Sequence, residues 1–234
     1  MATFILIPGA GSTSWYWHLV EPVLRDHGHD VVAVDLPCDD DSAGLAEYTD
    51  AVVAAVGDRT DLVVVAQSMG GFTAPLVCDR VPVDLMVLVA AMVPRPGEAP
   101  GDWWSNTGHA EAMRAQAERD GRDPDDEDLA GIFLHDVPPD VVAEAPDHLT
   151  EQSGTPFEKP WPRDSWPDVP TRFLLCRHDR FFPPDLMRRQ VAERLGIIPD
   201  EMDCGHLPAL ARPRELAERL LAYRAEWEDG VTVP

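Results

Sequence analysis

The stretch Leu62-Val63-Val64-Val65-Ala66-Gln67-Ser68-Met69-Gly70-Gly71 restricts the possible folds more than any other part of this chain. Its opening residues form a short, β-branched apolar run of the kind buried on both faces of a parallel sheet. The run ends in small residues and passes straight into an apolar segment, Phe72 to about Arg80, that reads as a helix. A strand that turns so sharply into a helix strains the backbone at its tip. The positions two before and two after the tip must then be small. Ala66 and Gly70 fill those positions, and Ser68 stands at the tip as a candidate nucleophile. The pattern is G-x-S-x-G with one extra methyl, at Ala66. Gly71 would let the helix pack closely. A bare S-x-G occurs in many ordinary turns, so the weight lies on context: the strand before, the helix after, and candidate acid and base segments downstream in the order Ser, Asp, His.

Similar short apolar runs recur at Thr3–Ile7, Val31–Val34, Asp84–Ala90 and Arg172–Cys176, with a last one around Ile197–Met202. Helical stretches are expected between them: from Ser14 or Trp15 to His27, from Ala43 to Val56 with Leu45, Tyr48, Val52, Val53 and Val56 on one side, from Pro184 to Leu195, and from Pro213 to Trp227. Strands alternating with helices at this spacing predict an α/β fold with a mostly parallel, doubly wound sheet.

From residue 94 to residue 170 the composition changes to prolines, tryptophans and acidic clusters. This stretch is expected to be a helical cap inserted between two parts of one core, residues 1–93 and 171–234. Helices are expected near Ala110–Asp120 and Pro139–Leu149, and extended coil over Gly154–Pro170. The acidic run Asp123–Asp128 reads as a solvated face. The aromatic residues here, Trp103, Trp104, Phe133, Trp161 and Trp166, are candidates either for lining a substrate pocket or for forming the core of the cap, and Trp104 and Phe133 are taken as the substrate contacts.

At 234 residues the chain fits one core with an insertion. Its 42 acidic against 19 basic residues give a net charge of −23, which opposes binding to nucleic acid or to anionic membranes. Cys38, Cys78, Cys176 and Cys204 share no metal-ligand or disulfide spacing and read as free thiols of a reducing compartment. Three adjacent carboxylates, Asp39 to Asp41, read as a solvated loop rather than a cation site. His18, His27 and His29 lack acid or cysteine partners at ligand spacing. No metal and no cofactor is therefore expected. With no charged leader before an apolar stretch and no run of membrane-spanning length, a cytoplasmic location is the expectation.

A serine hydroxyl needs a base, and histidine titrates in the right range. His206 is the candidate, on the loop after the last strand, at the end of the sheet where Ser68 would lie. The base needs a carboxylate to set its tautomer. Asp179 leaves a neighbouring strand at that end, and Asp203 competes from only three residues away. Asp179 is preferred because a neighbouring strand can deliver it to the far ring nitrogen. Its neighbour His178 must point elsewhere. The oxyanion donors are expected to be the amides of Met69 and Ala10, the latter on the loop Pro8-Gly9-Ala10-Gly11-Ser12.

Taken together, Phe4-Ile5-Leu6-Ile7-Pro8-Gly9-Ala10-Gly11 with Trp15-Tyr16-Trp17, Ala66-Gln67-Ser68-Met69-Gly70-Gly71, Asp179-Arg180-Phe181-Phe182-Pro183 and Gly205-His206 resemble the α/β-hydrolase superfamily. The closest likeness is to the branch of plant methylesterases and hydroxynitrile lyases with their bacterial relatives. It covers nearly all the core and is weak over residues 94–170. The resemblance implies Ser68 as nucleophile, Asp179 as acid and His206 as base. Two positions depart from it: Pro8 stands where the family often has histidine, and Ala66 where it has glycine. The lyases carry a threonine in the oxyanion loop and a lysine after the catalytic histidine, and the matching positions here are Gly9 and Leu207, both expected to face substrate. A carboxylate nucleophile, as in dehalogenases and epoxide hydrolases, is absent.

The expected activity is therefore hydrolysis of a small-molecule carboxylic ester through an acyl-enzyme. A hydroxynitrile lyase-type enzyme and a small-ligand receptor with little turnover are the alternatives, and a homodimer is an admitted assembly.

Overall fold

A computed structural model describes residues 1–125 and 128–230. Of the acidic run, Asp126 and Glu127 lie outside the described residues. Six parallel strands form one sheet: β1 (Thr3–Ile7), β2 (Asp30–Ala33), β3 (Leu62–Gln67), β4 (Val83–Val89), β5 (Thr171–Cys176) and β6 (Asp200–Met202). Their order across the sheet is β2-β1-β3-β4-β5-β6, which puts β3 and the turn after it near the middle. Successive residues of a strand point to opposite faces. Accordingly Val64, Ala66, Met86 and Leu88 pack against α2 (Leu45–Val56), α3 (Gly70–Val77) and α8 (Pro184–Leu195), while Val63, Val65, Leu85 and Val87 pack against α1 (Glu21–Asp26) and α10 (Pro213–Glu228). Both faces are covered by helices, so the central strands are apolar without alternation.

The expected helix from Ser14 to His27 is two pieces, a 3₁₀ turn at Ser14–Trp17 and then α1. Pro22 explains the break: it lacks an N–H and is accommodated only in the first turn of a helix. The last strand is shorter than expected, Asp200–Met202, because Pro199 cannot donate to a ladder and Ile198 is 88% exposed. The helix after β3 starts at Gly70, closer to the serine than expected, and ends at Val77. Two short helices were not anticipated from periodicity: α4 (Pro100–Thr107) and, after β6, α9 (Pro208–Ala211).

Between β4 and β5 the chain makes a long excursion carrying α4, α5 (His109–Arg119), α6 (Leu129–Phe133) and α7 (Pro139–Glu144). Its anchors to the core are specific. Trp103 and Trp161 are buried and donate through their indole N–H to the carbonyls of Val93 and Phe72. Glu98, just ahead of α4, forms a buried ion pair with Arg194 of α8 at 2.5 Å, and it also accepts from Asn106 and from the Arg95 amide. Trp166 lies against Trp161 and donates to the Pro94 carbonyl.

All four cysteines are free. Cys38, Cys176 and Cys204 are buried and Cys78 is half-buried. Among the described residues there is no cluster of three metal-ligating side chains, and no helix is long and apolar enough to cross a membrane.

Candidate active site

The turn after β3 shows why its residues are small. Ser68 has a φ of +51°, a left-handed conformation that costs a non-glycine residue energy and persists only where the surroundings enforce it. Its carbonyl accepts from the amides of Gly71 (3.1 Å) and Met92 (2.8 Å), which pin the turn to the end of β4. A Cβ on Gly71 would overlap the Met92 carbonyl, so the close approach that demands glycine is to the exit of β4 rather than to β3 itself.

Ser68, His206 and Asp179 form one hydrogen-bonded chain. The carboxylate of Asp179 can only accept, so His206 Nδ1–H donates to Asp179 Oδ2 at 2.7 Å. That leaves Nε2 as the acceptor facing the hydroxyl of Ser68, at 3.1 Å. The other carboxylate oxygen, Oδ1, accepts from the amides of Phe181 and Phe182, each at 2.8 Å. These bonds hold the carboxylate in one orientation. Asp179 and His206 are 1% and 2% exposed, whereas Ser68, at 9%, faces a cavity. The rival carboxylate is elsewhere: Asp203 is exposed and turns to Arg177 (3.0 Å) and His178 (3.5 Å). His178 thus points to solvent.

Among the described residues the amides of Ala10 and Met69 donate to no protein acceptor, although both residues line the cavity beside Ser68. Gly9 runs so close that a Cβ would overlap Gln67 Oε1 and crowd Ser68. Gln67 belongs to the site although it went unremarked in the sequence. It is 2% exposed, and its Nε2 donates to the His206 carbonyl at 3.1 Å, tying the end of β3 to the loop of the histidine. Its signal was a lone amide at the end of an apolar strand.

The cavity is about 510 Å³ and its lining is almost wholly apolar. Gly9, Trp104, Phe133 and Leu207 all face it, as do Trp15, Tyr16 and Phe181. Trp103, Trp161 and Trp166 do not: the first two are buried in packing, and Trp166 is held against Trp161. The Phe133 ring meets His206 edge-on at 5.5 Å. No Asp, Glu, Lys or Arg lines the cavity among the described residues. Burial depresses the basicity of nearby His109, whose Nε2–H donates to the Phe181 carbonyl at 2.7 Å.

The excursion also grips the loop of Ala10. Ser12 pairs with Leu149 in an antiparallel bridge, Thr150 N donates to the Gly11 carbonyl (3.1 Å), and Gly11 N donates to Gln152 Oε1 (3.0 Å). Gln152 in turn donates to the Tyr48 hydroxyl at 3.0 Å. No local pattern marks Gln152 as part of the site, since the partners that tie it there, Gly11 and Tyr48, lie more than a hundred residues away.

A parallel sheet with a strained serine after its central strand, and a histidine and an aspartate on neighbouring loops at the same end, defines a hydrolase of the α/β class. The chain belongs to the alpha/beta hydrolase family, whose model matches residues 4–219. It is 21% identical to norfluorocurarine synthase 1 of a Strychnos species, over 93% of each chain. It is 22% identical to Methylesterase 2 of Arabidopsis thaliana, over 94% of each. Among solved structures it resembles a pyrethroid hydrolase from Sphingobium faniae JZ-2, with a TM-score of 0.76, 21% identity, and 96% of this chain and 97% of that one covered.

Proposed function

We propose that this protein is a carboxylic ester hydrolase that cleaves small, uncharged esters through an acyl-enzyme on Ser68. The observation that carries the reading is the continuous hydrogen-bonded chain from Ser68 through His206 to Asp179, opening onto an apolar cavity. In this reading Nε2 of His206 takes the Ser68 proton as Oγ attacks the ester carbonyl. Asp179 stabilises the imidazolium that forms, and the amides of Ala10 and Met69 receive the developing oxyanion. The protonated His206 then gives its proton to the departing alkoxide. A water molecule, deprotonated by the same nitrogen, releases the acid. Methylesterase and pyrethroid hydrolase relatives support ester cleavage as the class of reaction. The lining supports an uncharged substrate, because a buried charge without a partner is costly. The segment from residue 94 to residue 170 acts as the cap that closes this cavity.

Cyanohydrin cleavage is less well supported. It releases an anion that a nearby ammonium would stabilise, and Leu207 offers none. The test is hydrolysis of aryl esters of graded acyl length, with labelling by a fluorophosphonate. Turnover should vanish in Ser68→Ala, and the label should sit on Ser68 alone. Full activity in Ser68→Ala, or Ser68-dependent cyanide release from mandelonitrile without esterase activity, would reject the proposal; labelling without turnover would favour a receptor.

A further inference from the structure

The apolar lining of the cavity beside Ser68 does not stop at its mouth. Among the described residues five large apolar side chains are exposed, and two of them, Leu129 (67%) and Leu149 (65%), border this one cavity. Exposed apolar side chains scattered singly are ordinary, but two at the rim of one apolar cavity extend its surface into solvent. Ala130 and Pro146 are also exposed and also line the cavity. Neither leucine is exposed through looseness. Leu149 is the residue bridged to Ser12, and the next amide, of Thr150, donates to the Gly11 carbonyl. Leu129 opens α6, where the Asp128 carboxylate caps the helix by accepting from the Ala130 amide at 3.1 Å. Arg180 holds the same helix by donating to the Gly131 carbonyl at 2.7 Å.

The lining is of two kinds. Tyr16, Met69, Met92 and Leu210 are buried and wall an enclosed part, whereas Leu129, Ala130, Pro146 and Leu149 are exposed and mark the mouth. One face of α6 joins the mouth to the reacting atoms. Leu129, Ala130, Phe133 and Leu134 all line the cavity, at the i, i+4 spacing that sets side chains along one side of a helix, and the Phe133 ring meets His206 at 5.5 Å. An apolar stripe thus runs from the His206 imidazole to the surface. The departing oxygen of an ester must stand at His206 Nε2 to receive its proton. The group carried by that oxygen therefore lies at the Phe133 end of the stripe, with α6 leading outward. This orientation also suits the order of release, because the alcohol departs while the acyl group is still bonded to Ser68, and it departs through the mouth.

We propose, on the basis of the ester hydrolase reading, that the substrates are esters of long, apolar, uncharged alcohols, and that Leu129 and Leu149 are the residues that select for alcohol length. The acyl group occupies the enclosed part of the cavity. The alcohol chain follows α6 past Phe133 and out onto the two leucines, which it covers.

The experiment measures kcat/KM of the full chain for butyl, hexyl and octyl acetate, and for the isomers that carry the same carbons on the acid, ethyl butyrate, ethyl hexanoate and ethyl octanoate. All are used below their solubility limits. A buried methylene is worth about three- to fourfold and a half-covered one about twofold, so kcat/KM should rise at least about tenfold from butyl to octyl acetate. The rise from ethyl butyrate to ethyl octanoate should be shallower. Leu129→Ser combined with Leu149→Ser, at two exposed positions, should cut the octyl-to-butyl ratio at least about threefold. An equal or steeper rise on the acyl side, or an unchanged ratio in the double variant, overturns the inference and leaves the hydrolase reading standing. Absence of Ser68-dependent turnover of every ester overturns both. A rate that climbs only above the solubility limit would make the leucines a contact for aggregated substrate. A dimer that the double variant loses in sedimentation, with the ratio unchanged, would make them a subunit contact. Either result also overturns the inference.

Discussion

The sheet core and the excursion between β4 and β5 are built on opposite principles. The core is held by continuous apolar strands buried on both faces, and it fixes Ser68, Asp179 and His206 on loops whose spacing the sheet dictates. The excursion has short helices, and two of them, α6 and α7, bury no residue completely. It holds its place through a few strong points: Trp103, Trp161 and the Glu98 to Arg194 pair. Under the proposed function the core sets which bond is broken, and the excursion sets which molecule reaches it. Changes in the core should act on kcat, and changes in the excursion on KM or stability.

The largest expected effect tests the core side of this division. Asp179→Asn should lower kcat about 10⁴-fold by unsettling the histidine tautomer, whereas Asp203→Asn should change it less than about twofold. A reversed ranking in steady-state kinetics would show that the hydrogen-bonded chain is not the working one.

Next in size is the anchor of the excursion. Glu98→Ala leaves the Arg194 guanidinium buried without its carboxylate and should cost about 3–5 kcal/mol in denaturant unfolding, since a broken buried pair strands a charge. A loss near that of an exposed ion pair would mean that the excursion is held elsewhere.

Trp104→Leu then separates binding from chemistry. It trims one wall of the cavity and leaves Ser68, His206 and Asp179 unchanged, so KM for a bulky aryl ester should rise about tenfold with kcat within about threefold. A fall in kcat comparable to that of Asp179→Asn would dissolve the division between the two regions.

The smallest effect is a pH dependence. The value for His109 is lowered from the ordinary 6.5, chiefly by burial, so the unfolded chain takes up a proton more readily than the folded one. Stability is therefore intact above about pH 6.5 and falls as the pH drops from there through the lowered folded value. His109→Gln keeps a donor for the Phe181 carbonyl and cannot titrate. Thermal melts across that window should show a shallower acid loss in the variant, and identical slopes would remove His109 as a cause.

What the sequence determined by itself was whatever repeats or crowds locally. Runs such as Leu62 to Ala66 announce strands because burial on both faces needs several adjacent apolar residues. Small residues around Ser68 announce the turn because any larger ones collide. Even the prolines were legible afterwards: Pro22 and Pro199 mark where an expected helix and an expected strand stop. Tertiary structure alone decided the rest. Asp179 and Asp203 look alike in sequence, and only the parallel pairing of β5 with β6 shows one carboxylate meeting His206 and the other turning to Arg177. Trp103 and Trp104 are neighbours in the chain, yet helical geometry sends one into packing and the other to the cavity. Gln67 braces the candidate site from the end of β3, and Gln116, Asp136 and Gln152 brace it from the excursion, each through one or two hydrogen bonds to distant residues. A single bond between remote residues imposes no periodicity and no local crowding on the chain, so it leaves nothing in the sequence to read until the fold brings its two ends together.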